Sequence, residues 1–286
     1  MTTKKRKLCA SCLKFDFNKT LKSSKKNKPK WLDDIDYVEQ FVKRNANNFT
    51  NIHPKKYNKT IKINLGEKFS NRKILYWAAK PSNNLLINGA KDAYGNFSNS
   101  GIATIDKNGF AKIRFLVPQN YKTIVKNEKK YTTFFKHIHY VISDNTNSKW
   151  LFNVYTKLFH NNYDYKQLIE KLNSTQVIVL NVLPSEYYAK DHILHSYNLP
   201  VGQIKKMSIK DLNEWFISLI DLHYPKLKKL LNNKLQLNEI PIICYCAHDK
   251  CSASKNGAEE LMKKGFVNVS LYEGGMKDYN KHNKNN

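Results

Sequence analysis

Arginine is nearly missing from this chain. Of 49 basic residues only four are Arg (Arg6, Arg44, Arg72 and Arg114); the others are Lys. Readers of base edges lean on the planar, five-donor guanidinium, which a Lys ammonium does not replace. A formal net charge of +26 therefore does not by itself mark a sequence-specific nucleic-acid reader. Lys and Asn are abundant everywhere, tails and turns included, as a coding bias would produce. Long apolar runs are also missing: none approaches the roughly 18 residues of a membrane helix, so no membrane insertion is expected. The basic N-terminus is followed by no apolar stretch, which argues against a secretory signal. Cysteine is sparse, with five in all (Cys9, Cys12, Cys244, Cys246 and Cys251). An odd number in a long chain fits no secreted disulfide framework, so a reducing, intracellular (cytoplasmic) compartment is expected. Internal repeats are absent.

What is present is enough apolar material to fold. The 286 residues are 41% hydrophobic and 12% aromatic, which supports two domains with a core each. Residues 1–30 are Lys-rich and read as a flexible basic arm that would dock an anionic partner. Within it "CASC" (Cys9, Cys12) has the spacing of half a zinc site. Structural zinc wants four ligands and no second pair lies nearby, so the two read as an accidental exposed pair. Residues 31–60 contain "WLDDIDYVEQFVK", a short amphipathic helix with Ile35, Val38, Phe41 and Val42 on one face. From 61 to about 160 the texture is short β-branched and aromatic runs: "KILYWAA" (73–79), "SGIATID" (100–106), "FAKIRFLV" (110–117) and "KHIHYVIS" (136–143). Turn residues such as "DKNG" (106–109) separate them, which predicts a β-sandwich.

From 163 to 282 strands alternate with helices. "DYKQLIEKL" (164–172) has helical spacing and a capping pair, Asp164 and Gln167. "VIVLNV" (177–182), "IPIICYC" (240–246) and "VNVSLY" (267–272) are continuous apolar strands. "SIKDLNEWFISLIDL" (208–222) is an amphipathic helix with Ile209, Leu212, Trp215, Phe216 and Leu219 apolar, and "ASKNGAEELMKK" (253–264) is a helix stopped by Gly265. This order predicts an α/β domain with a parallel sheet.

In such a sheet, ligands bind beyond the carboxyl ends of the strands. Cys246 ends a strand there, and the loop Ala247, His248, Asp249, Lys250, Cys251, Ser252 leads into a helix. Backbone N–H groups of such a loop, with Lys250 and His248, would favour a thiolate. That is the setting of a nucleophile; the alternative is a small buried residue, which suits Cys244, deeper in the strand, better.

The pattern "CYCAHDKCSASKNGAEELMKKGFVNVSLYEGGMKDY", with "VIVLNVLPSEYYAKDHILHSYNLP" upstream, resembles a rhodanese-like domain over about 163–282. His192 and Ile193 fall on the family's "HI", and Asn198 and Pro200 on its "N-P". The resemblance implies a sulfurtransferase in which Cys246 carries a persulfide, taking sulfur from a small sulfur donor and passing it to a thiol acceptor, with no cofactor required. Cys251 stands where an Arg commonly closes the anion loop. A second cysteine here also occurs in a subset of the family, which implies a resolving thiol and a redox alternative; packing under the loop is the other reading. Asn181 and Leu183 replace the family's acidic residue and Arg. His192 implies a structural position, and Gly274 and Gly275 a close backbone approach to the cysteine loop.

His137 and His139, at i and i+2, share a strand face. They are either a metal-binding pair or two exposed residues on a solvated face. "YWAAKP", "YGNFSNSG", "TIDKNGFAKIRFLVPQNY" and "HIHYVIS" follow in the order seen in intradiol ring-cleavage dioxygenases. That resemblance implies ferric iron on Tyr121, His137 and His139. Phe97 occupies the fourth ligand's place and Phe134 that of an Arg, so it implies a repurposed binding module rather than ring cleavage. Tyr94, three residues earlier, would reach the site only if the loop shifted. The Lys/Asn-rich fusion is similar in character to proteins of large DNA viruses, which implies virion association, and binding without catalysis is the non-enzymatic alternative.

Overall fold

The computed structural model describes residues 21–23, 35–124 and 131–283, in two compact units, 1–159 and 160–286. Cys9, Cys12 and nearly all of the basic arm lie outside the described residues.

The first unit runs β1 (Leu21–Ser23), α1 (Ile35–Arg44), β2 (Lys59–Asn64), β3 (Lys73–Ala78), β4 (Asn88–Gly89), α2 (Ala90–Tyr94), β5 (Ser100–Thr104), β6 (Phe110–Phe115), β7 (Tyr121–Ile124), β8 (Tyr131–Phe134), β9 (His137–Ser143) and β10 (Trp150–Leu158). Its main sheet is ordered β1-β10-β9-β3-β5 and is antiparallel. Every residue of β9 is buried, because both faces of this sheet are covered. On one face Ile74, Tyr76, Ala78, Ile138, Tyr140 and Ile142 share a core with Ile63, Ala111, Ile113 and Phe115 of the two-stranded β2–β6 ribbon. On the other, Leu75, Trp77 and Val141 pack with Phe41 and Val42 of α1 and with Tyr94, Phe97, Tyr121 and Phe134. The "DKNG" turn holds: Gly109 N–H bonds to Asp106 O at 2.9 Å, with Gly109 at φ +78°.

The second unit runs α3 (Tyr165–Ser174), β11 (Ile178–Asn181), α4 (Ser185–Lys190), β12 (Tyr197–Asn198), α5 (Val201–Lys206), α6 (Ile209–His223), α7 (Pro225–Asn233), β13 (Ile242–Tyr245), α8 (Ala253–Lys263), β14 (Val269–Tyr272) and α9 (Gly275–Asn283). The four strands are ordered β12-β11-β13-β14 and all pair in parallel, as the alternation predicts. Asp164 and Gln167 form a reciprocal capping box at α3. α8 ends at Gly265, φ +101°, whose N–H bonds to Met262 O at 2.9 Å. One helical expectation fails: Ile209 is half exposed, because it occupies the first turn of α6, before the helix reaches the core. Gly257 lets α8 lie on the sheet, since a Cβ there would sit 2.8 Å from Val182 Cγ1. Among the described residues no helix is long and apolar enough to cross a membrane.

Candidate functional site

Parallel pairing places Tyr245 opposite Tyr272 and Asn181, so the chain leaves β13 at Cys246 on the carboxyl edge of the sheet. Tyr245 fixes the strand end from one face: its hydroxyl accepts the Ile193 N–H at 3.1 Å and meets Ser196 Oγ at 2.8 Å. Alternation sends Cys244 and Cys246 to the other face. Burial is the main cause that pushes the Cys244 thiol far up, with Cys246 adding to it, as a core cysteine requires.

The peptide on either side of Cys246 is tied to α9. Met276 N–H donates to Cys246 O at 3.0 Å and Lys277 N–H to Ala247 O at 2.9 Å. These are two of the helix's otherwise unpaired first donors. The approach is so close that a Cβ on Gly275 would lie 2.3 Å from Cys246 O, and its φ is +60°. Gly275 thus has the close approach expected of it. Gly274 does not: a Cβ there would meet the Asp278 side chain at 2.7 Å instead.

The loop departs from expectation at the sulfur. Cys246 has no exposed surface. Its Sγ–H points at Cys251 O (3.4 Å), Ser254 Oγ (3.4 Å) and His248 O (3.8 Å). From the loop the His248 and Cys251 carbonyl oxygens face it, while the Ser254 N–H and hydroxyl reach it from the first turn of α8. The thiol is accordingly held above its ordinary value: burial is the main cause, the Ser254 hydroxyl opposes it, and the Cys251 side chain, hydrogen-bonded toward the same sulfur, adds to the rise. His248, Asp249, Lys250 and Ser252 are exposed on the outer side, and Ala247 and Cys251 are partly covered. All three described cysteines are free thiols.

Upstream, Asn198 Nδ2 donates to Asn181 O and Leu183 O at 3.2 and 2.9 Å, which pins β12 beside β11. His192 stacks on Tyr188 (centroids 4.2 Å) and its Nδ1 meets Tyr188 O at 3.0 Å. It is hydrogen-bonded, but exposed rather than packed inside. Asn181 is fully buried; its Oδ1 accepts Leu183 N–H at 2.9 Å, while its Nδ2 leans toward Tyr245 without closing a bond.

The family comparison decides the class of this unit: residues 164–282 match the model for "Rhodanese-like domain". Residues 164–282 are a rhodanese-like domain. Cys246 ends the third strand of its chain order, and the rhodanese-like domain holds that residue by the α9 tie. No curated protein matches the chain. Among solved structures, the single-domain sulfurtransferase RDL2 of Saccharomyces cerevisiae is 14% identical over 43% of this chain and 91% of its own, with a TM-score of 0.32. The human single-domain sulfurtransferase TSTD1 is also 14% identical, over 43% of this chain and 97% of its own, with a TM-score of 0.31. BH2092 from Bacillus halodurans is 20% identical over 43% and 73%, with a TM-score of 0.30.

The first unit builds a second cluster. His137 and His139 are buried, 4% and 3% exposed, which overturns the solvated-face reading: the sheet face that carries them is covered by α2 and the β7–β8 hairpin. His137 Nε2 is 2.9 Å from Tyr121 Oη and 3.4 Å from Tyr94 Oη, and the two hydroxyls are 3.1 Å apart. His137 Nδ1 is 2.6 Å from Phe135 O, which fixes the proton on Nδ1 and turns the Nε2 lone pair toward the phenols. His139 lies 4.5 Å from His137, ring to ring, with Nδ1 2.8 Å from Thr156 Oγ1. Desolvation pushes His137 down to about 4 and His139 well below the usual imidazole range, the second also through His137. Both stay neutral at neutral pH and so keep a lone pair. The sequence offered Tyr94 only conditionally, behind Phe97. Tyr94 reaches the cluster past a loop in which Gly95 (φ +54°) and Phe97 (φ +60°) both have positive φ, and Phe97 stacks on Phe41, with centroids 4.2 Å apart. Among the described residues no three of His, Cys, Asp or Glu gather, so any metal here depends on the two phenols.

Proposed function

We propose that the rhodanese-like domain is a sulfurtransferase that carries a persulfide on Cys246. The observation that supports it best is the placement of this sulfur, at the carboxyl end of a parallel strand, beneath an exposed six-residue loop and locked by the Gly275–Met276 approach. Loss of the thiol proton and rotation of the Cys251 and His248 carbonyls expose the sulfur. Its lone pair attacks the outer sulfur of a donor R–S–SH, the donor S–S bond breaks, and R–S⁻ leaves with the proton as R–SH. An acceptor thiolate then attacks the outer sulfur of Cys246–S–SH and restores the thiol. Cys251 supplies an internal exit: its thiolate attacks Cys246 Sγ, expels HS⁻ and closes a disulfide. Intact mass after incubation with thiosulfate or a persulfide donor should rise by one sulfur, about 32 Da, on Cys246. Cys246→Ser abolishes this, and Cys251→Ser lengthens the life of the adduct. No adduct with several donors on an alkylatable Cys246 would end this reading in favour of a binding module.

A second reading, carried by Tyr94, concerns the first unit: we infer that Tyr94, Tyr121, His137 and His139 hold a metal ion, ferric iron fitting two phenolates and two neutral imidazoles. The fit is supported by the donor set itself: the His137 Nε2 lone pair and the Tyr94 and Tyr121 oxygens converge within 3.4 Å of one another, with His139 packed beside them. Such an ion would supply Lewis acidity. The chain's part is to exclude water, to hold His137 through Phe135 O, and to wall the site with Phe134 where a substrate-pairing cation would otherwise stand. That favours a dioxygenase-like β-sandwich repurposed for binding. The check is iron stoichiometry and visible absorption after reconstitution. Tyr94→Phe and Tyr121→Phe should each remove both signals; a colourless, iron-free protein rejects the reading.

A further inference from the structure

Charge is distributed unequally between the two units. Residues 35–159 hold 21 Lys and Arg against seven Asp and Glu, whereas 160–286 hold 17 against 13. Part of the excess is concentrated on one surface. β2 and β6 pair antiparallel with Lys62 directly opposite Lys112 and Thr60 opposite Arg114. Their alternate residues Ile61, Ile63, Ala111, Ile113 and Phe115 fill the core, so Lys62, Lys112 and Arg114 all stand on the outer face.

Two aromatic rings are set into that face. Lys62 Nζ lies 4.4 Å from the Phe110 centroid and the Arg114 guanidinium 5.2 Å from the Tyr57 centroid, with Tyr57 47% exposed. Among the described residues no carboxylate pairs with Lys62, Lys112 or Arg114. Asp106, in the turn that leads from β5 into β6, spends one oxygen on the Asn108 and Phe110 N–H groups. Like charges directly opposite on a ribbon are destabilising, so a merely solvated face would gain by putting a carboxylate at one of the two lysine positions.

We propose that the outer face of the β2–β6 ribbon binds single-stranded nucleic acid without sequence preference. Cations that track phosphates, interleaved with rings on which unpaired bases stack, are what such binding needs. Lys rather than Arg at the centre suits phosphate contact without base reading. A duplex offers no free base to Tyr57 or Phe110, and an acidic peptide would use the cations alone.

The test is fluorescence anisotropy on the full chain with labelled oligo-dT, a duplex of equal length, and polyglutamate. Oligo-dT should bind tightest, with affinity falling as salt rises. Lys62→Glu and Lys112→Glu each turn the repulsive pair into an attractive one, so the urea midpoint should hold or rise while oligo-dT affinity drops about tenfold and the salt slope flattens by about 0.7. Tyr57→Ala should lower oligo-dT binding about fivefold or more and leave polyglutamate unchanged. Wild-type binding by both lysine variants, duplex or polyglutamate binding as tightly as oligo-dT, or no binding to oligo-dT at low salt would each overturn the proposal.

Discussion

The two buried clusters hold their reactive atoms in opposite ways. Around His137 the polar atoms come from α2, β7 and β9, far apart in sequence, and side chains satisfy side chains: Tyr94, Tyr121 and His137 meet within 3.4 Å. Around Cys246 the partners come from the short loop that follows it and the first turn of α8: loop carbonyls together with the Ser254 hydroxyl and N–H surround the sulfur. A cluster built on strands is rigid and its donors are set by register. A cluster built on a loop can be re-aimed by turning a few peptide planes. The first arrangement suits holding something in place; the second suits a nucleophile that must be covered and then exposed.

The largest effect should come from the one rigid point of the loop site. Gly275→Ala places a Cβ 2.3 Å from Cys246 O at a left-handed φ. Left-handed strain and backbone overlap together should cost at least ~3 kcal/mol, read as a lower urea midpoint of the rhodanese-like domain. An unchanged midpoint would mean that α9 does not anchor the loop. Next, Tyr121→Phe removes the hydroxyl 2.9 Å from His137 Nε2 and leaves a buried acceptor short of a donor, a loss of about 1–3 kcal/mol in the metal-free protein. Tyr94→Phe, whose contact is 3.4 Å, should cost less. If the order reverses, Tyr94 rather than Tyr121 is the main donor to the imidazole.

Much of this was readable in the residues. Both the strand runs and the Asp164/Gln167 cap follow from period and chemistry, and Cys246 stands out because its surroundings are contiguous in sequence. Tyr94 stood out only conditionally. Bringing it rather than Phe97 to the cluster takes a left-handed Phe97 (φ +60°), which bulky residues seldom adopt, so the motif's register pointed to Phe97. The sulfur's environment was illegible for another reason: whether a loop peptide presents its N–H or its C=O to Cys246 is a matter of peptide-plane orientation, and the side chains His248 and Lys250 do not encode it. The outer lysines of the β2–β6 ribbon were lost in the general Lys excess until strand register set Lys62 against Lys112.

The smallest effect is the most direct probe of that peptide-plane difference. With the Cys246 thiol held above its ordinary 9.0, the thiolate is the minor form at neutral pH. Alkylation of Cys246 by iodoacetamide, followed by peptide mass, should therefore keep accelerating as pH rises through 9. Ser254 is the one neighbour whose hydroxyl can turn and donate to the thiolate, and its bond lowers the thiol's value. Ser254→Ala should raise that value further and slow alkylation at pH 8 about two- to tenfold, the worth of one hydrogen bond. A rate that levels off below pH 8 would mean that the loop turns its N–H groups to the sulfur in solution, in addition to the Ser254 N–H; the loop would then already be arranged for an anionic donor, and the contrast with the strand-built cluster would shrink to one of sequence distance alone.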